Sequence, residues 1–330
     1  MRILLLLLLT FSCNLITEVP DPSYGLPELA SEERIKELNS KKRAKVMTPS
    51  VARKVQRVIE ALDEASILEE EQRLLKKEKK EKEANAKDPE IKRAIAKGQR
   101  ELDELKPRMD SLKSYDRSMI YYYQAYFNLA YQDKISEAML NYSKLVDEED
   151  TNDKLRVEAY YVLAQLELSE SDFDAGLNYL IKWFKNAPDV KPDAYVLLGQ
   201  AYYLLADQEK SKTKALNSKK KAFNNVRQAK RLAEEKNIRF RENWYSLLIA
   251  SMSELELKEE QVPYYEEILE LYPKKKYFVN LAGLYSDLDR PGDYTSLLKT
   301  AYTKQLLNKK SEFQSLSQML LAAGNPYWAS

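Results

Sequence analysis

The chain has 330 residues with 53 basic and 52 acidic side chains, a formal charge of +1, and so lacks the basic surplus of a nucleic-acid binder. It has no histidine and one cysteine, which removes the commonest general base and metal ligand, the Ser-His-Asp arrangement, and any internal disulfide or thiolate metal cluster. Only 7 glycines and 12 prolines, beside 44% hydrophobic and 32% charged residues, argue against β-sandwich and collagenous chains and fit helices with one wet face.

Met1 and Arg2 give a short positive start, and residues 3–9 are nearly pure leucine. The run is too short to span a bilayer and fits a secretory signal peptide over residues 1–13. Cys13 follows it behind the small Ser12 and is the candidate lipidation residue, although Thr10 and Phe11 depart from a lipoprotein cleavage box. Ordinary cleavage a few residues later is the alternative. Either route takes the chain out of the cytoplasm, and membrane contact is expected only through that anchor.

Residues 14–48 read as a linker or tether, because Pro20, Pro22, Gly25 and Pro27 break helices. Ser31 followed by Glu32, Glu33 and Arg34 can open a short helix within it. Residues 49–114 read as a divergent N-terminal helical pair. Val51, Val55, Val58, Ile59 and Leu62 keep a helical period behind Pro49, and Ile91, Ile95, Leu102 and Leu105 form the second amphipathic helix, up to about Pro107. Between them lies a charged insertion, 69–90. Residues 69–82 hold five acids and six bases in mixed order. Glu69 with Arg73 and Glu78 with Lys82 are spaced i,i+4, so a solvated helical extension is expected, with a projecting coiled-coil arm as the alternative.

From residue 115 a longer period takes over. At Tyr195, Leu198, Gly199 and Tyr202, large, apolar, small and aromatic residues fall at i, i+3, i+4 and i+7, the first-helix signature of a tetratricopeptide repeat. It recurs at Tyr160, Leu163 and Ala164, at Trp244, Leu247 and Leu248, and at Phe278, Leu281, Ala282 and Tyr285. First signature positions at 122, 160, 195, 244, 278 and 313 are separated by 38, 35, 49, 34 and 35 residues, against a period of about 34. The gap of 49 contains an insertion around residues 207–221 carrying Lys210, Lys212, Lys214, Lys219, Lys220 and Lys221. A solvated helix extension is the simpler reading of these lysines; contact with acidic lipid headgroups or an acidic partner is the other.

Second helices keep the phase at Ala138, Tyr142 and Leu145, then at Gly176, Leu180 and Trp183, with Pro188 and Pro273 closing pairs. The last unit opens at Phe313, Leu316 and Leu320, turns at Gly324-Asn325-Pro326, and reads as an incomplete repeat. The expected fold is therefore all-α: a right-handed α-solenoid of tetratricopeptide-type pairs over 115–330, with an N-terminal tether and a charged helical insertion.

No glycine pair is close enough for a phosphate loop, and no nucleophile stands beside a base. The acidic run 147–150 lacks the spaced ligands and central glycine of a calcium loop. No enzyme, metal or cofactor is expected. A helical pair cannot bury its apolar face alone, so it stacks, and the inner face of the stack binds other chains. Counting the phase forward, the inward set is Tyr123, Phe127, Tyr131, Tyr161, Gln165, Gln200, Tyr203, Tyr245 and Met252. Aromatic rings supply area and amides pair with a peptide backbone, so this set is the candidate partner-binding face. The alternative is that some of these rings pack between repeats.

The segments 115–121, 160–166 with 180–184, 195–202, 242–248 and 272–285 together resemble the periplasmic tetratricopeptide-repeat protein found with TonB energy-transduction systems. Lys182-Trp183-Phe184 and Asn243-Trp244-Tyr245 are the more specific parts of that resemblance. It implies a non-enzymatic periplasmic interaction scaffold, accessory to a TonB-dependent import system, with TonB, ExbB, ExbD or an outer-membrane receptor as partners. An envelope lipoprotein adaptor in outer-membrane or cell-wall assembly, held through Cys13 to the inner face of the outer membrane or to the inner membrane, is the alternative role. An enzyme with a repeat appendage is disfavoured by the missing histidines.

Overall fold

A computed structural model describes residues 19–40 and 45–322. The leader, Cys13 and the turn at 324–326 lie outside the described residues. Among those described, every regular element is a helix, and the chain is all-α. The described residues divide into two compact units, one within 27–190 and one formed by 19–26 with 191–322.

In the first unit, α1 (Glu32–Asn39) precedes α2 (Pro49–Lys77), α3 (Glu81–Ala86), α4 (Asp88–Asp103), a 3-10 turn (Lys106–Ser111), α5 (Ser114–Ala130), α6 (Ile135–Asp147), α7 (Asp153–Ser169) and α8 (Phe173–Phe184). The valine stripe of α2 meets Leu102, Leu105, Ile120 and Phe127 in one core. Gly98 lets α4 come close, because a Cβ there would sit 2.7 Å from Phe127 Cζ and 3.2 Å from Ala61 Cβ. The backbone amide and hydroxyl of Thr48 donate to the buried carboxylate of Asp116 at 2.8 and 2.5 Å, fixing the start of α2 against α5. Tyr142, Leu145, Ala159 and Leu163 form the next core layer, so consecutive helices bury one another as the repeat pattern requires.

The charged insertion is helical only in part. It extends α2 to Lys77, where Lys79 enters the left-handed region at φ 61° and ends the helix. Glu78 and Lys82 therefore do not share a helix, and Arg73 pairs with Glu70 rather than Glu69. Gln72 reaches across to the Ala84 carbonyl at 3.0 Å and to Asp88 at 2.6 Å. The segment thus folds back on α2 instead of projecting.

Residues 27–39 are docked as well. Ala30 N–H donates to the Phe184 carbonyl at 3.1 Å, Arg34 donates to Asn186 and Asp153, and Leu38 is buried with Val157 and Ala187.

The second unit contains α9 (Pro192–Gln208), α10 (Lys212–Glu235), α11 (Glu242–Glu254), α12 (Lys258–Leu271), α13 (Lys275–Asp287), α14 (Pro291–Thr303) and α15 (Lys310–Ala322). Tyr195, Leu198, Gly199, Tyr202, Trp244, Leu248, Phe278, Leu281 and Tyr285 are buried, as the signature requires, whereas Phe313 is 42% exposed. The lysine-rich insertion is absorbed as the first turns of the 24-residue α10. Lys219 pairs with Glu254, and Lys221 lies over the Tyr202 ring.

Pairs turn without glycine. Ser171 (φ 66°), Glu256 (φ 58°) and Asp289 (φ 53°) each occupy the left-handed position after a helix. Asp172 N–H donates to Glu167 O, Leu257 N–H to Met252 O and Arg290 N–H to Tyr285 O, the long bond of a Schellman motif.

Candidate peptide-binding surfaces

The structure distributes the expected inward set over three environments. Phe127, Tyr245 and Met252 are 0%, 0% and 1% exposed and belong to the core. Phe127 is covered by α2 and α4, the pair that precedes the regular repeats. The Tyr245 ring lies 4.9 Å from Phe240 with the Lys230 ammonium 5.7 Å above it. These three cannot touch a partner, which corrects the expectation from spacing alone.

Tyr123 and Tyr131 are half-buried against the α2–α5 core, and the Tyr161 ring packs 4.9 Å from Trp183. Burial pushes the Tyr131 hydroxyl up to about 12, with Glu69 adding to the shift. That leaves Gln165 on α7 exposed in the first unit, and Gln200 exposed with Tyr203 half-buried on α9 in the second. Burial raises the Tyr203 pKa first, and Glu254 and Asp207 raise it further. The amides expected to pair with a peptide backbone are thus presented, whereas most of the rings are structural.

Spacing did not indicate a buried polar site on α10. Asn224 and Asn225 lie mid-helix, where asparagine is a weak helix former, and are 1% and 0% exposed. Buried amides need partners. Asn224 Nδ2 donates to the carbonyls of Asp21 and Tyr24 at 2.7 and 2.8 Å, and its Oδ1 accepts from Arg227 at 2.8 Å. Asn225 Nδ2 donates to the Gly25 carbonyl at 3.0 Å and to Lys221 O at 2.8 Å. Arg227 also donates to the Pro20 carbonyl at 3.3 Å while its guanidinium lies 4.8 Å from the Phe223 ring centre. Burial is the main force lowering the Arg227 pKa.

The segment they hold is shaped by its own residues. Asp21 Oδ1 accepts from the Ser23 amide and hydroxyl at 2.8 and 2.6 Å, which also keeps the Asp21 pKa below the usual carboxylate value. Tyr24 N–H donates to Asp21 O and Leu26 N–H to Ser23 O, closing two successive turns. Pro22 presets the first turn, and Gly25 at φ +75° supplies the left-handed residue of the second.

Elsewhere in the second unit a cavity of about 390 Å³ is lined by Glu266, Glu270, Tyr285, Asp293 and Lys304, among others. Two of its acids are committed: Tyr285 OH donates to Glu266, and Arg290 holds Asp293 at 2.6 Å. Glu242 accepts from Lys274, Tyr277 and Lys276, which holds its carboxyl down at about 2. Among the described residues no group of three or more His, Cys, Asp or Glu is placed to hold a metal ion, and no helix is long and apolar enough to cross a membrane.

Serially packed helical pairs whose main apolar positions are buried define a tetratricopeptide-type helical-repeat fold. No family model matches the chain, and no curated protein matches it. Solved structures similar to it include TTC0263, a thermophilic TPR protein of Thermus thermophilus, at 16% identity over 59% of this chain and 94% of that one, with a TM-score of 0.34. BtubC (BKLC) from P. vanneervenii is 20% identical over 60% of this chain and 84% of that one, with a TM-score of 0.33. A chain of Naa15/Naa10 bound to HypK-THB is 15% identical over 83% of this chain and 47% of that one, with a TM-score of 0.33. At such scores the class rests on the helices and buried positions of this chain itself.

Proposed function

We propose that the chain is a non-enzymatic periplasmic scaffold that holds a polypeptide partner for a TonB-type import system. The observation that carries the binding role is the exposure of Gln165 and Gln200 on first helices whose Leu163, Ala164, Tyr195, Leu198 and Tyr202 are buried, so each unit presents an amide from a packed helix. The leucine-rich leader supports export, and the resemblance of residues 160–166, 180–184, 195–202 and 242–248 to the TonB-associated periplasmic repeat protein supports the choice of system. The partner in this reading is TonB, ExbB, ExbD or an outer-membrane receptor.

Affinity purification of the full chain from envelope extracts tests it. Recovery of a motor subunit or receptor is the expected result, and recovery of none contradicts it. The position of Cys13 behind the leader favours one second reading, a lipid-anchored adaptor in envelope assembly. Mass spectrometry of the mature N-terminus, together with assembly subunits in the same eluate, would select that reading.

A further inference from the structure

Building on the scaffold reading, we propose that the face of α10 bearing Lys221, Asn224, Asn225 and Arg227 is a recognition site for an external polypeptide segment with an Asp-Pro-x-x-Gly double turn. The chain's own residues 20–25 fill that site in cis. Three side chains of one helix bind four main-chain carbonyls, those of Pro20, Asp21, Tyr24 and Gly25. A side-chain amide NH2 offers two donors, so amides aimed at backbone oxygens hold a segment without reading its side chains.

Selectivity then comes from shape. Only a chain that turns twice within six residues aims those carbonyls the same way. Asp21 and Pro22 set the first turn, and the second needs glycine, because a Cβ on Gly25 would lie 2.2 Å from Lys221 Cγ.

The resident segment is an incomplete ligand. Asn225 Oδ1 is buried and takes no donor among the described residues. An incoming segment with the same two turns and one further donor satisfies that acceptor, and so displaces the resident one at a favourable exchange. The resident segment acts as a tethered competitor whose effective concentration is on the order of millimolar. A free peptide that binds the open site at about 100 μM is therefore weakened about tenfold in the native chain.

The test uses the full chain and a fluorescent peptide of residues 19–27, Val-Pro-Asp-Pro-Ser-Tyr-Gly-Leu-Pro. Gly25→Val releases the resident segment. The labelled peptide should bind this variant saturably and the unsubstituted chain about tenfold more weakly. Adding Asn224→Ala to the variant should abolish binding. Equal binding to both chains, or binding that survives Asn224→Ala, overturns the proposal. If Gly25→Val lowers helical circular dichroism, the unsubstituted chain serves instead. Chymotryptic cleavage after Tyr24 should then accelerate with millimolar peptide and not with a scrambled one, and an unchanged rate overturns the proposal. Partner capture from envelopes does not depend on this peptide, so the scaffold reading and the α10 site can fail separately.

Discussion

Arg117 holds Glu148 through two parallel hydrogen bonds, Nε to Oε1 at 2.6 Å and a terminal nitrogen to Oε2 at 2.7 Å. The pair joins the start of α5 to the end of α6, closing the first regular helical pair. Burial opposes ionisation of Glu148, but hydrogen bonds from Arg117 and Ser114 outweigh it and keep the pKa below the ordinary glutamate value. Arg117 also donates to Leu112 O at 2.7 Å, so the same side chain fixes the approach to α5. Replacing Glu148 with Gln removes the charge from a bidentate contact and should cost about 1–2 kcal/mol. Thermal unfolding followed by circular dichroism checks this: the unit of residues 27–190 should melt a few degrees lower.

Gly98 sits where α4 meets Phe127. Alanine is worth about 1 kcal/mol more than glycine in a helix interior, but its Cβ would lie 2.7 Å from a ring that is fully buried. The clash should win, because overpacking a closed core costs about 1–3 kcal/mol. Gly98→Ala is therefore expected to be destabilising in urea titration, and a gain in stability would contradict the packing described for the α2–α4–α5 core.

The left-handed turn residues predict the opposite sign. Ser171 and Asp289 adopt positive φ without being glycine, and a side chain there costs about 1 kcal/mol. Ser171→Gly and Asp289→Gly should each raise the unfolding midpoint. Since Ser171 and Asp289 lie in different repeats, the two gains should add.

Stability should depend on acid through Glu242. Its pKa is depressed from 4.5 to about 2, chiefly by hydrogen bonds from Lys274, Tyr277 and Lys276. A carboxyl depressed in the folded state contributes stability that is fully present above its unfolded pKa and lost as pH falls through the folded one. The difference in melting temperature between the native chain and Glu242→Gln should be constant above about pH 5, be much reduced at pH 2 and vanish below it. A difference that persists unchanged at pH 2 would show that the contact is not electrostatic.

Much of the fold was legible because repeat helices bury local patterns. Tyr195, Leu198, Gly199 and Tyr202 share one face of α9 by spacing alone, and that face is the buried one. What covers a given face is decided by other segments, so exposure was less legible. Phe127 was expected on the inner surface, yet Gly98 lets α4 close over it. The segment around Pro20, Pro22 and Gly25 read as a tether because those residues break helices. The same residues form two turns whose partner, Asn224, lies about 200 positions away, 203 from Asp21 and 200 from Tyr24. No local period announces such a contact. The adjacent asparagines at 224 and 225, in the middle of an otherwise helix-favouring run, were the available signal.

In the proposed function, the exposed faces of α7 and α9 grip another polypeptide outside the inner membrane. Photo-crosslinking in living cells from a reactive residue in place of Gln200, and separately of Gln165, tests it most directly. Discrete adducts containing a TonB-system subunit or an outer-membrane receptor should form from both positions, and none from the buried Met252 position. Adducts to cytosolic proteins, or no adduct from either glutamine site in a folded, exported chain, would contradict the account.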